Sequence, residues 1–347
     1  EPVVLQPSQY SFHPSALIRA PVTITHTHTM SSIDVHIPSL PEEVVALVRI
    51  GDNQALVIGW NQDPHIEGEW LCVSVVLTLL SDGTIESGEP VLCPIPRYTV
   101  DYSASAVGND VYVYGGWDTA HEGYVNDLYV YTVDTGEWSM VPKEGLWPRA
   151  LRTLTTFGIG DSLYMFGSLP NHPVELWKYS SESGWKRVRI QELEKWEYFG
   201  SCVIVDNVAY IHAFRRVITF TPPSAFHYER SSVRGMNVVA VGYDRCIIVT
   251  RGVRYHDATA YTDHVYDTLS GEWVHSQESG WIDLMKQDGR KRQISMIGPS
   301  TMLCIAHYRF VRDEPTLPPR VMVRDIEEER WGDRVVFGLD DVTMGYV

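Results

Sequence analysis

DYSASAVGNDVYVYGGWDTAHEGYVNDLYVYTVDTGEWSMVPKEGLWPRALR, residues 101–152, holds four short β-like runs separated by turn signals. Small or apolar residues alternate with polar ones from Tyr102 to Val107, and VYVY follows at 111–114, which predicts two strands joined by a tight Gly108-Asn109-Asp110 turn. LYVYTV at 128–133 is a third run, rich in β-branched and aromatic residues. Asp134-Thr135-Gly136 then supplies a hairpin turn whose glycine can take positive φ, and it delivers Trp138 on a fourth strand. The stretch therefore predicts one four-stranded antiparallel sheet, and the rest of the chain can be searched for copies of it.

The turn and strand before the glycine doublet recur as GDNQALVIG from Gly51, GNDVYVYGG from Gly108, GDSLYMFGS from Gly160, VDNVAYIHA from Val205, YDRCIIVTR from Tyr243 and PSTMLCIAH from Pro299. Their starts are 57, 52, 45, 38 and 56 residues apart, the range of propeller blades. An inner-strand run precedes each: 44–50, 102–107, 153–159, 201–205, 237–242 and 293–298. The second copy resembles the kelch repeat, with an apolar strand ending in Gly115-Gly116, then Tyr131 and Trp138 at the family's spacing. That resemblance, with the count of copies, implies an all-β fold: a six-bladed kelch-type β-propeller of four-stranded antiparallel blades. Seven blades with a composite closing blade is the alternative. Residues 1–41, punctuated by prolines, read as an N-terminal extension packing on or closing the ring, and 42–347 as a single propeller domain.

The other copies depart from the family pattern. Their doublets are replaced by Gly59-Trp60, Gly167-Ser168, His212-Ala213, Thr250-Arg251 and Ala306-His307. The outer hairpin recurs with Trp185, Trp273 and Trp331, whereas the fourth copy, RVITFTPPSAFHYERSS from Arg216, lacks Trp. A tryptophan on an outer strand fills the wedge between adjacent blades and buries about 150–250 Å². Only QELEKWEYF from Gln191 and WIDLMKQD from Trp281 read as helical, both between blades.

Composition narrows the function classes. The chain has 28 Lys and Arg against 44 Asp and Glu, a formal charge of −16, which argues against binding a phosphate backbone. The longest apolar run, VSVVLTLL at 73–80, falls far short of the ~20 residues a bilayer span needs. No charged-then-apolar leader opens the sequence, and a start at Glu1 points to a processed, trimmed or incomplete N-terminus. The five cysteines show no C-x-x-C spacing and fall mostly in strand-like runs, as buried reduced thiols do. With no Asn-x-Ser/Thr acceptor, the expectation is a soluble, monomeric, cytoplasmic domain without membrane or nucleic-acid partners.

In such a blade the connection after the doublet and the connection into the next blade emerge on one face. The residues expected there, as a partner-binding set, are Trp60, His65, Arg97, Trp117, His121, Arg149, His172, Arg215, Arg234, His256, Arg292 and Arg309. Arg forks bind carboxylates bidentately and Trp supplies anchoring area, so this set suits an acidic peptide or partner. Some kelch adaptors of ubiquitin ligases read acidic motifs on this face, and the resemblance implies a protein-interaction scaffold or adaptor. The plainer alternative is that Pro-Arg pairs such as Pro96-Arg97 and Pro148-Arg149 simply pair with loop carboxylates.

An enzyme is the minority expectation. Kelch relatives include metal-dependent oxidases and sugar-modifying enzymes that work in the central channel, but the Glu-x3-Asp-x3-His spacing of the iron-dependent type does not occur. His26 and His28, with His36 nearby, offer two or three imidazoles where a closed site needs about four ligands. Gly158-x-Gly160 lies between two strands and has no following helix, so it is not a dinucleotide fingerprint. No catalytic residue, metal or cofactor is assigned.

Overall fold

The computed structural model describes residues 33–35, 37, 39–62, 70–96, 99–151, 153–169, 172–190, 199–213, 216–222, 225–230, 238–243, 246–255, 258–268, 272–275, 291–298, 301–307 and 320–325. Backbone contacts divide the chain into Glu1–Ser31 and Ser32–Val347, and all the described residues belong to the second unit. Trp331, the expected helix from Trp281 and all but the last residue of the one expected from Gln191 lie outside the described residues.

After β1 (Ile33–Val35), the first sheet holds β2 (Glu43–Arg49), β3 (Gln54–Gln62) and β4 (Trp70–Leu79), with β5 (Ile85–Ser87) and β6 (Val91–Leu92) sharing its outer edge. The second copy contains β7 (Thr99–Val100), β8 (Ser103–Val107), β9 (Asp110–Tyr114), β10 (Trp117–Asp118), β11 (Gly123–Tyr124), β12 (Leu128–Thr132) and β13 (Glu137–Met140). Of these, β8, β9, β12 and β13 form a four-stranded sheet, and β7, β10 and β11 a separate three-stranded ribbon. The third sheet comprises β14 (Thr153–Ile159), β15 (Ser162–Ser168), β16 (Glu175–Ser180) and β17 (Gly184–Val188). The fourth comprises β18 (Phe199–Val205), β19 (Val208–Ala213), β20 (Arg216–Thr221) and β21 (Ala225–Arg230). The fifth comprises β22 (Val238–Tyr243), β23 (Cys246–Tyr255), β24 (Ala258–Asp267) and β25 (Glu272–His275). The last is built from β26 (Lys291–Met296), β27 (Thr301–His307) and β28 (Arg320–Asp325).

The first strand of each sheet touches the first strand of the next, β2 to β8 to β14 to β18 to β22 to β26, and β26 returns to β2. Gln293 Nε2 on β26 donates to the Val45 carbonyl on β2 at 2.8 Å, joining the last sheet to the first. Among the described residues the ring therefore has six sheets, the number read from the inner-strand runs. Within the stretch read as an extension, β1 pairs antiparallel with β28 (Ile33 with Val323, Val35 with Val321) and supplies the sixth sheet's fourth strand. Pairing an N-terminal strand with the last sheet gives that sheet's edge a partner.

The apolar core lies between neighbouring blades. One cluster joins the first two sheets through Leu56, Ile58, Val111 and Val113, and another joins the second and third through Tyr112, Tyr114, Met165 and Trp177. A further one closes the ring, packing Val57 and Val75 against Leu303 and Ile305. Each hairpin follows from its turn. Val107 pairs with Asp110 around Gly108 (φ 57°) and Asn109, the two-residue turn that matches strand twist. The outer aromatics repeat in register: Tyr131 opposite Trp138, Tyr179 opposite Trp185, and Tyr266 opposite Trp273. Trp138 donates its indole N–H to Ser74 Oγ of the first sheet at 2.9 Å, and Trp185 packs edge-on against Tyr114 of the second, with centroids 5.6 Å apart. Trp138 and Trp185 thus fill wedges between blades, as the sequence predicts. The fourth copy, without Trp, still forms a regular outer hairpin, with Arg216 opposite Arg230 and Thr221 opposite Ala225.

Candidate partner-recognition face

The glycine doublet creates the first part of the site. Gly115 (φ 68°) and Gly116 (φ 111°) occupy backbone space that side chains disfavour, and a Cβ on Gly115 would press on Leu154 of the next inner strand. The chain thereby turns out of β9 into β10. There Trp117 pairs with Val100 and Tyr124, and Asp118 with Thr99 and Gly123. β7 belongs to the connection that leads into the second blade and β10 to the connection after the doublet. Their pairing brings these two connections of the blade together on one face.

Within the ribbon, Trp117 stacks edge-on against Tyr124, with centroids 4.7 Å apart. Asp118 accepts from the backbone N–H groups of Ala120 at 2.8 Å and His121 at 3.1 Å, and its Oδ2 lies 2.7 Å from His121 Nδ1. The His121 side chain is 85% exposed. The hydrogen bond from His121 is the main reason the Asp118 carboxyl is held below its usual range. The carboxylate is covered by its own loop rather than sunk in the core, so desolvation opposes only in part, and the two backbone N–H groups add to the lowering.

A second cluster gathers on Glu175 at the start of β16. Arg149 donates to its Oε1 at 2.8 Å, Arg187 reaches the same oxygen at 3.4 Å, and the Trp177 indole donates to Oε2 at 2.9 Å. Glu175 is 7% exposed, against 39% for Arg149 and 56% for Arg187. Arg149 therefore pairs with a carboxylate at the start of a strand rather than standing free. Asn126, just after the ribbon, donates to the Pro148 carbonyl at 2.8 Å and accepts at its own carbonyl from the Trp147 indole, so the two clusters are held by one short stretch of chain.

The remaining expected residues divide three ways. Trp60 is 3% exposed and packs in the cluster between the first two sheets, so it cannot serve as a surface anchor; position 60 pairs with Cys72 inside β3–β4. His172 is exposed, and Arg292 lies on β26 opposite Ala306. His65, Arg97, Arg215, Arg234, His256 and Arg309 lie outside the described residues. Sequence reasoning missed Asp118, Tyr124, Glu175 and Arg187. Asp118 carried a local signal, a short acceptor two and three residues before the N–H groups it caps, whereas Glu175 is recognisable only once β16 stands beside residue 149. Among the described residues, no group of three or more His, Cys, Asp or Glu is placed to hold a metal ion, and His26, His28 and His36 lie outside them. No described helix is long and apolar enough to cross a membrane.

Sheets of this kind closed in a ring define a β-propeller. The Kelch motif family model matches residues 99–143, which span the ribbon, the doublet and the Tyr131–Trp138 pair. The chain thus carries a Kelch motif within a propeller of such sheets. Over 104 residues it is 33% identical to N-(sulfonatooxy)prop-2-enimidothioate sulfolyase of Thlaspi arvense, a match covering 29% of this chain and 25% of that one. Over an alignment of 104 residues it is 30% identical to Kelch domain-containing protein 3 of Homo sapiens, covering 26% of this chain and 27% of the relative. Kelch domain-containing protein 2 of Bos taurus matches at 29% identity over 143 residues, 40% of this chain and 32% of the relative. The matches thus span only a quarter to a third of these curated relatives. Among solved structures, YjhT superposes with a TM-score of 0.53 at 11% identity, covering 83% of this chain and 99% of that one. A protein of unknown function from Dyadobacter fermentans superposes at 0.54 and 10% identity, covering 86% and 99%. At such identities the likeness concerns fold.

Proposed function

We propose that this kelch propeller is a protein-interaction scaffold or adaptor that takes an acidic peptide or acidic partner on the loop face carrying Trp117, His121 and Arg149. The observation that carries the reading is the ribbon: a half-exposed indole braced by Tyr124 beside an imidazole held by Asp118. Side chains already held in place lose little freedom on binding, which favours affinity. Charge supports an acidic ligand. Arg149 and Arg187 share a single carboxylate, so this group carries one positive charge in excess on a chain of net −16. His172, Arg292 and the residues expected at 65, 97, 215, 234, 256 and 309 would extend the surface around the ring. A monomeric domain in the cytoplasm belongs to the same reading.

The test is capture from native cell extract with the wild-type chain and a Trp117→Ala/His121→Ala variant as baits. Loss of the same acidic proteins from the variant, with its unfolding midpoint unchanged, is the expected result; identical captured sets would reject the reading. The similarity to a sulfolyase favours a second reading, an enzyme using the central channel. Turnover of a sulfated thiohydroximate by the purified chain would support that reading in place of the first.

A further inference from the structure

The register of β4 with β6 pairs Ser74 with Val91 and Val73 with Leu92. One step further it sets Cys72 opposite Cys93, and the Cys93 N–H donates to the Cys72 carbonyl at 2.9 Å. Opposed residues of an antiparallel pair send their side chains to the same face, with Cβ atoms about 4.5–5.5 Å apart. Their Cα separation of about 5.5 Å falls within the 4.4–6.8 Å that a disulfide accepts. The Cys93 thiol donates to the Val91 carbonyl at 3.9 Å, and the closeness of Cys93, ahead of burial, pushes the Cys72 thiol far up. Both cysteines are free.

Their surroundings differ. Cys72 is buried, whereas Cys93 is half-buried and lines a groove of about 490 Å³. Val91, Leu92 and Pro94 share its wall of the groove, and Glu137 and Trp138 of the second sheet form the other. A small oxidant in the groove meets Cys93 first, and the sulfur that stands behind it is Cys72.

We propose that Cys72 and Cys93 form a reversible redox pair that responds to peroxide. Hydrogen peroxide transfers one oxygen to the Cys93 sulfur, giving the sulfenic acid and one water. The Cys72 sulfur then attacks the Cys93 sulfur; the S–S bond forms as the S–O bond breaks, and the departing hydroxide leaves as a second water with the Cys72 proton. The two thiols lose two electrons, which the peroxide O–O bond accepts. The bond ties β6 to β4 beside the Trp138–Ser74 bridge and fixes one wall of the groove.

The experiment treats the purified full chain with hydrogen peroxide, alkylates it under denaturing conditions, and reads intact mass and linked peptides. Alkylatable cysteines should fall from five to three, with one peptide pair joining Cys72 to Cys93 and full recovery after dithiothreitol. Cys93→Ser should keep its remaining thiols at the same peroxide dose. Cys72→Ala should leave Cys93 as a sulfenic acid trapped by dimedone; if that variant does not fold, the linked peptide and Cys93→Ser still decide the matter. A cross-link between other cysteines, or oxidation of Cys93 beyond sulfenic acid with Cys72 still alkylatable, overturns the proposal. So does a full complement of thiols at a dose that oxidises free glutathione.

Discussion

Glu175 shows how much one side chain organises at this face, since a single carboxylate with little solvent contact answers two guanidiniums and an indole. Glu175→Gln should lower stability in urea by about 1–3 kcal/mol, because the charge-assisted bonds weaken and two positive groups face each other. Arg187→Ala should cost less than about 1 kcal/mol, since that partner is longer and more exposed. Equal losses in the two variants would contradict this reading. A charge-reversed Arg149 would set a second carboxylate against Glu175, so binding experiments at that position need the alanine variant. Asp118 gives a pH prediction. Its folded value is depressed below the ordinary ~3.9. Its contribution is therefore complete above that ordinary value and disappears as pH falls through the lower folded value. Carboxyl-detected NMR titration should place the Asp118 midpoint below those of exposed aspartates, and His121→Ala should move it upward. Asp118 could be read as a cap from its own neighbourhood, but the partner of Arg149 lies 26 residues on and depends on how two blades meet.

Among the elements, the outer hairpins carry the inter-blade contacts that the tryptophan spacing predicts. Trp138→Phe removes the bond to Ser74 while keeping a ring in the wedge, and should cost about 1 kcal/mol; Trp138→Ala empties a half-buried position and should cost about 2–3 kcal/mol. Denaturant midpoints compared at constant slope test that order. The inner strands meet more closely. A Cβ at Gly158 of β14 would collide with the Ala106 carbonyl and press on Val107 of β8. Gly158→Ala should thus destabilise by about 1–3 kcal/mol even though alanine suits a strand better than glycine does in isolation. A stabilised variant would show that the two strands can move apart. Strand identity was legible here because alternation and turn residues are local, and the observed inner strands lie on the runs read from the sequence. The ribbon of β7, β10 and β11 was not legible, because pairs of two residues leave no periodicity to detect.

For the whole molecule, closure is the decisive contact, and it joins residues nearly three hundred positions apart, Ile33 with Val323 and Val35 with Val321. Neighbouring residues of a strand alternate between donating into the ladder and away from it, so prolines at both Asp34 and Val35 must remove a bond between β1 and β28. That double variant should cost about 3 kcal/mol and lower the thermal midpoint of the entire ring in one transition. A separate early transition with an unchanged main midpoint would mean that β1 does not secure closure. The repeat, the number of inner strands, the positions of the hairpin turns and the wedge tryptophans are properties of the sequence by itself, because each rests on alternation, glycine conformation or spacing within about fifty residues. Only the tertiary structure decided that β1 completes the sixth sheet, that Trp60 is core, that Arg149 answers Glu175 and that Cys72 faces Cys93. Those pairings depend on which strands become neighbours in the ring, and local composition does not encode a neighbour.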